Sequence, residues 1–186
     1  MNQQQAEHLA KQSLSQKRLQ HTLNVRDMAV RMAEKYGVDT EKTAVAALLH
    51  DTAKELPKQQ MLQIFAGNVI MAGNAPERPS PVWHGVCAAI LAKTKWGVTD
   101  QEILSAIECH TTGKPGMSTL DKIIFLADMT SAERSYPGVE QLRKLEMEDL
   151  DQAMVAALEM TLDFVRESGK KVDVVSVQTL EDLKHR

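Results

Sequence analysis

Cysteine is almost missing from this chain: Cys87 and Cys109 are the only two in 186 residues. With no secretory leader in view, both read as reduced core residues rather than a disulfide framework. A chain of this length buries roughly 70% of its unfolded surface on folding, so it needs no such staple. Aromatic residues make up 4% of the sequence. No alternating β-branched run stands out before the C-terminus, so a sheet is not expected. No apolar run approaches the ~18 residues of a membrane span. The opening Met1-Asn2-Gln3-Gln4-Gln5 lacks the basic-then-apolar pattern of a signal peptide, and the expected location is the cytoplasm. A net charge of −3 supplies no excess of positive charge. Recognition of nucleic acid or of a membrane surface by bulk charge is therefore excluded, while a local basic pocket is not.

What is present is helix-forming sequence, and the chain reads as an all-α domain. A short polar helix is expected over 3–12, then a long one from about Ser15 to Tyr36, stopped by Gly37. Leu14, His21, Val25, Met28 and Met32 recur there at helical spacing, which puts His21 in the apolar stripe. Asp39 can cap a second helix that carries His50-Asp51 and ends before Pro57. A short helix is expected at 58–66. Glycine, asparagine and proline between Ala66 and Pro81 predict a long surface loop. Further helices are expected at about 82–95, after a Thr99/Glu102 capping box, and after Ser118 with Asp121. A turn at Pro137-Gly138 precedes 139–150, and a last long helix at 150–168 ends at Gly169. Val172–Val177 is expected to be extended and Thr179–His185 helical.

The stretch Ala47-Leu48-Leu49-His50-Asp51-Thr52-Ala53-Lys54 organises the functional reading. It drives an imidazole and a carboxylate into apolar surroundings, which is costly unless something pairs them. A divalent metal accepts both groups as ligands. Partners exist elsewhere: His21, His84, His110 and Asp128 all fall on helix faces directed inward. His8 and His185 lie in polar terminal segments. Cys109 points ~100° away from His110 on a helix. Asp121 lies about 10 Å along its helix from Asp128, so a capping role suits it better than a shared metal. Six nitrogen and oxygen ligands exceed what one structural zinc takes. They suit two metals sharing a bridging carboxylate, a recurrent device for hydrolysing phosphate esters and anhydrides by attack of a metal-bound hydroxide. A donor set without thiolate favours iron, manganese or another first-row metal.

The order His21, His50-Asp51, Asp128 resembles the HD-domain metal-dependent phosphohydrolases, and the intervening His84 and His110 resemble their dinuclear subset. Leu48 to Lys54, His110-Thr111-Thr112-Gly113, Met117 to Asp128, and Arg134 to Arg143 with Pro137-Gly138-Val139-Glu140 between, are similar to the bacterial YqeK family. The resemblance runs from about Lys17 to Arg143. It implies an HD-domain helical bundle and a symmetrical diadenosine tetraphosphate hydrolase that releases two ADP, with two bound irons. One step departs from the family pattern. Where an Ile-Glu-Pro step is usual, this chain has Thr130-Ser131-Ala132, followed by Glu133-Arg134.

By that match His21, His50, Asp51 and Asp128 hold one metal, and Asp51 bridges to a second held by His84 and His110. Lys54, three residues past Asp51, is placed to set its ammonium over a bound phosphate, so Asp51 and Lys54 are the expected catalytic pair. Arg18 and Arg134 are placed to meet outer phosphates, because guanidinium forks suit phosphate oxygens. Thr111, Thr112 and Gly113 could add hydroxyl and backbone donors. The organisation expected is a single domain over 1–186, with its core at about 15–143 and the helices of 139–186 packed on it. The expected partner is a small dinucleoside polyphosphate, with pairing into a homodimer left open. Alternatives are an HD-domain nucleotidase or deoxynucleotide phosphohydrolase, or a non-catalytic metal- and nucleotide-sensing module.

Overall fold

The computed structural model describes residues 1–185, and among them every regular element is helical. The first three helices are α1 (Gln3–Ser13), α2 (Gln16–Tyr36) and α3 (Thr40–Leu49). Next come α4 (Lys58–Gly67), α5 (Val69–Ala72), α6 (Trp83–Thr94), α7 (Gln101–Cys109) and α8 (Thr119–Thr130). The chain closes with α9 (Val139–Leu145), α10 (Leu150–Glu167) and α11 (Val174–Lys184). None of these helices is long and apolar enough to cross a membrane.

At the centre lies α3. Every residue from Thr43 to Leu49 is buried, and the helix packs on α1, α2, α7 and α8. A helix apolar on all sides is stable only when other helices surround it. The long α2 covers one flank with a stripe of His21, Thr22, Val25, Ala29, Met32 and Ala33. Ser15 caps its start by accepting from the Arg18 amide, and Gly37 ends it at φ 67°. On the other flank α6 packs on α7, and α7 on α8. The contiguous core extends through Leu142 of α9, Ala153 of α10 and Leu183 of α11.

Four local expectations are corrected. The helix bearing the His-Asp pair ends at Leu49 rather than near Pro57, with His50 as its C-cap. The Thr52 hydroxyl donates to the Leu49 carbonyl at 2.7 Å and the Lys54 amide to the Asp51 carbonyl at 2.8 Å, so the chain tightens into turns there. The stretch 66–81 is not an open loop. It folds into α5 and two 3-10 turns, Ala75–Glu77 and Ser80–Val82, that bury Ala72 and Ala75. Proline sits in the first turn of each 3-10 piece, where its missing N–H is not needed. The cap of α7 is Asp100, not Thr99: its carboxylate accepts from the amides of Glu102 and Ile103. Finally, Val174–Val177 is helical rather than extended. Asp173 caps α11, and burial of Ser176, Thr179 and Leu183 overrides the weak helix propensity of valine.

Glu146, the C-cap of α9, is 0% exposed, and neither carboxylate oxygen has a hydrogen-bond partner. The nearby Thr130 hydroxyl donates instead to the Leu126 carbonyl. Burial pushes the Glu146 carboxyl up to about 8 from 4.5, so the folded chain holds it protonated at neutral pH. Because the folded state retains a proton that the unfolded state has released, stability falls as pH rises from about 4.5 to about 8. Glu146→Gln is expected to flatten that fall and to be more stable than the parent by roughly 3–5 kcal/mol above pH 8. At pH 4 the two proteins should match. Urea unfolding of both at pH 4 and 8.5 checks this, and an equal gap at the two pH values would refute it.

Candidate metal centre

The six polar residues read from the sequence converge on one point inside the bundle. His21 comes from α2, His50 and Asp51 from the end of α3, His84 from the first turn of α6, His110 from the end of α7, and Asp128 from α8. Their ligand atoms form three overlapping groups, each with all atoms within 4.8 Å of one another: His21/His50/Asp51, His50/His110/Asp128 and Asp51/His84/His110.

Asp51 is the hinge of the arrangement. Its Oδ2 lies 3.8 Å from His21 Nε2 and 3.6 Å from His50 Nε2. Its Oδ1 lies 3.2 Å from His84 Nε2 and 3.7 Å from His110 Nε2. Each oxygen therefore faces its own pair of imidazoles, as a carboxylate bridging two cations requires. Asp128 Oδ1 approaches the first pair, 3.0 Å from His21 Nε2. Burial by itself would raise the Asp51 carboxyl, but the imidazoles of His50, His110 and His84 outweigh it and hold the group well below the usual range. The same contest at Asp128 is decided by His21, which holds that carboxyl low as well.

The histidines are prepared as ligands by their second nitrogen. Nδ1 of His50 meets the Ala47 carbonyl at 2.6 Å, that of His84 the Pro81 carbonyl at 3.0 Å, and that of His110 the Ile107 carbonyl at 2.7 Å. A carbonyl can only accept, so Nδ1 carries the hydrogen and Nε2 turns a lone pair inward. Burial pushes His50 and His84 down to about 4, which keeps both rings neutral near pH 7. At His21 burial also lowers, but Asp128 and Glu133 outweigh it and carry the ring above its ordinary value. Nε2 of His50 is buried without a hydrogen-bond partner, and that of His21 meets only the carboxylates of Asp128 and Asp51. The Nε2 atoms of His84 and His110 face each other at 3.0 Å. Inward lone pairs, an unpartnered buried nitrogen and two low carboxyls form a donor set suited to cations. The residues present fit a metal.

Around this centre the other expected residues are distributed unevenly. The Lys54 stem is exposed, but its ammonium tucks in to 3.1 Å from His84 Nε2. There burial lowers its pKa, opposed by Asp51 and Asp128. Arg18 donates from Nη1 to Asp51 Oδ2 at 3.0 Å. Arg134 clamps Asp128 twice, from Nε to its carbonyl at 2.9 Å and from Nη2 to Oδ1 at 2.7 Å. Both arginines thus pair with carboxylates of the cluster, where the sequence reading sends them to outer phosphates. Thr112 is spent on structure: its hydroxyl donates to the Gly113 carbonyl at 3.0 Å and accepts from Arg78. The Gly113 amide donates to the Cys109 carbonyl, and a Cβ at this residue would meet Thr179 Cγ2 at 2.5 Å. Cys109 is buried, 5% exposed, as expected of a core residue. Asp121 caps α8 together with Ser118 and accepts from the Ser105 hydroxyl.

A cleft of about 960 Å³ opens beside His21, with Lys17, Arg18, Glu55, Glu133, Arg134 and Tyr136 among its walls. Glu133 is the residue that sequence reasoning missed. Its carboxylate accepts from His21 Nδ1 and from Asn24 Nδ2. Its only signal in the sequence is its place in the atypical step before Arg134.

The chain is similar to known proteins over most of its length. The family model described as "HD domain" matches residues 18–133. The Bacillus subtilis (strain 168) protein called "Bis(5'-nucleosyl)-tetraphosphatase, symmetrical" is 38% identical over 172 residues, covering 92% of each chain. A protein of the same description from Halalkalibacterium halodurans is 34% identical, over 98% of this chain and 97% of that one. A crystal structure from Clostridium acetobutylicum, described as a "predicted HD superfamily hydrolase involved in NAD metabolism", superposes with a TM-score of 0.93 at 38% identity. That match covers 98% of this chain and 97% of the other.

Proposed function

The chain belongs to the HD-domain family, in its branch of symmetrical bis(5'-nucleosyl)-tetraphosphatases, and we propose that it hydrolyses diadenosine tetraphosphate at the central anhydride to give two ADP. The observation that carries this reading is the split of Asp51, with one oxygen toward His21 and His50 and the other toward His84 and His110. His21, His50, Asp51 and Asp128 would hold one cation, and Asp51, His84 and His110 the other. The thiolate-free donor set suits iron, manganese or another first-row metal, and the family resemblance favours iron. Two such cations, when bound, acidify water and neutralise charge on an attacked phosphoryl group.

This chain's own residues do the rest. Asp51 and Asp128 supply the negative charge that draws cations to the centre. Lys54, on the turn that follows Asp51, offsets charge that grows on the phosphoryl oxygens. Arg18 and Arg134 stand between the cluster and the cleft, each already held by a carboxylate. Phosphate oxygens can replace carboxylate oxygens at a guanidinium, since either anion offers two oxygens to its planar fork. A nucleoside diphosphate seated along these cations would leave as a unit, which places the cut at the middle of the tetraphosphate.

The overall change adds one water across one anhydride. In ¹⁸O-labelled water the label is expected in only one of the two ADP molecules formed, with the metal content of the same sample quantified. AMP and ATP as main products would overturn the symmetric assignment. Preferential release of phosphate from a mononucleotide would favour a nucleotidase. No hydrolysis of any dinucleoside polyphosphate by metal-loaded protein would favour a sensing module.

A further inference from the structure

Three of the four clustered histidines sit at helix ends. His50 and His110 are C-caps, and His84 is in the first turn of α6. At such ends main-chain carbonyls are not all used by the helix, and each of these rings donates Nδ1–H to the carbonyl three residues earlier. His21 has no such choice. It lies inside α2, where the carbonyls one turn back are committed to helical hydrogen bonds. Its Nδ1 must find an acceptor from another part of the chain.

That acceptor is Glu133, 112 residues away in sequence. Its Oε1 accepts from His21 Nδ1 and from the Ser131 hydroxyl at 2.8 Å, while its Oε2 accepts from Asn24 Nδ2 at 2.6 Å. Asn24 is one helical turn after His21, so the carboxylate spans two successive positions of α2. The turn that carries Glu133 is itself braced. Arg143 donates to the carbonyls of Thr130, Ser131 and Arg134 at 2.8–2.9 Å. The next residue, Arg134, holds Asp128 by main chain and side chain.

We propose that Glu133 is the positioning residue for His21: its carboxylate fixes the ring so that Nε2 presents a lone pair to the cation shared with His50, Asp51 and Asp128. Rested on the metal-centre reading above, the proposal adds that the turn 131–134 sets one site of the pair and not the other. His84 and His110 take their orientation from main-chain carbonyls and are independent of Glu133. An outer carboxylate on a ligating imidazole typically changes metal affinity by about 10- to 100-fold.

Cobalt(II) titration of the metal-free full chain, followed by its visible absorbance, tests this without any nucleotide. Glu133→Ala is expected to weaken one of the two cobalt sites by about 10- to 100-fold and to leave the other unchanged. Glu133→Gln keeps an acceptor but not the charge and should fall between Ala and the parent. The metal-free Ala variant should still unfold cooperatively with a modestly lower Tm, because it loses hydrogen bonds to His21, Asn24 and Ser131 from a side chain that is 39% exposed. Excess metal should restore most of the turnover of the Ala variant. Two unaltered cobalt affinities in Glu133→Ala would refute the proposal, as would an equal fall at both sites. A parent chain that takes up no cobalt would remove the metal centre and this proposal together. Normal cobalt binding without hydrolysis of the tetraphosphate would remove only the substrate assignment.

Discussion

Asp51→Ala is expected to leave the purified protein without either metal and without detectable hydrolysis. The reason is the division of its carboxylate. Oδ2 faces His21 and His50, and Oδ1 faces His84 and His110, so one truncation removes a ligand from both sites at once. It also removes the shared negative charge that keeps two cations close, and it deprives Arg18 Nη1 of its partner at 3.0 Å. At a few ångströms the mutual repulsion of two divalent ions is several times that of unit charges, and a bridging anion is the direct means of offsetting it. His84→Ala touches one side only and should release mainly the second metal. Elemental analysis of the two variants beside the parent decides the matter. Equal losses from Asp51→Ala and His84→Ala would show that Asp51 does not bridge, and full occupancy in Asp51→Ala would remove it from the site.

The second large effect concerns the ammonium of Lys54. The Lys54 amide donates to the Asp51 carbonyl at 2.8 Å, so the turn that ends α3 fixes the lysine relative to the bridging residue. From there its Nζ reaches 3.1 Å from His84 Nε2. When a cation takes the His84 lone pair, this ammonium remains beside the centre, within reach of charge that builds on the phosphoryl group. Preorganised donors of this kind contribute ~3–4 kcal/mol to the transition state. Lys54→Ala is therefore expected to lower kcat roughly a hundredfold or more while both metals stay bound. Lys54→Arg should recover little, because a planar fork cannot replace a compact point charge in the same space. A kcat within about twofold of the parent would make Lys54 an ordinary surface cation. A fall accompanied by loss of metal would make it a support for His84 instead.

All six cluster residues were legible in the sequence, because the signals that mark them are local. A helical apolar stripe that contains a histidine, or an aliphatic run that ends in His50-Asp51, can be read from neighbours within two turns. The caps at Ser15 and Ser118 and the stop at Gly37 are short-range for the same reason. The errors were also local contests with close outcomes. Asp100 displaced Thr99 as a cap by a single residue, and Thr52 ended α3 by offering its hydroxyl to the backbone. Burial decided the two larger differences. Ala72 and Ala75 folded 66–81 down onto the core, and Ser176, Thr179 and Leu183 drew the valines after Asp173 into a helix. Tertiary structure alone determined which oxygen of Asp51 faces which imidazoles, that Arg18 and Arg134 bind carboxylates, and that the Glu146 carboxyl is buried without a hydrogen-bond partner. It also brought Glu133 to His21 across 112 residues, where no spacing rule reaches. Residue type and periodicity determine what a side chain can donate and which face it occupies. The direction in which each lone pair points depends on the acceptor that the ring's other nitrogen finds. For His50, His84 and His110 that is a carbonyl three residues back, but for His21 it is a carboxylate that only the packed structure supplies.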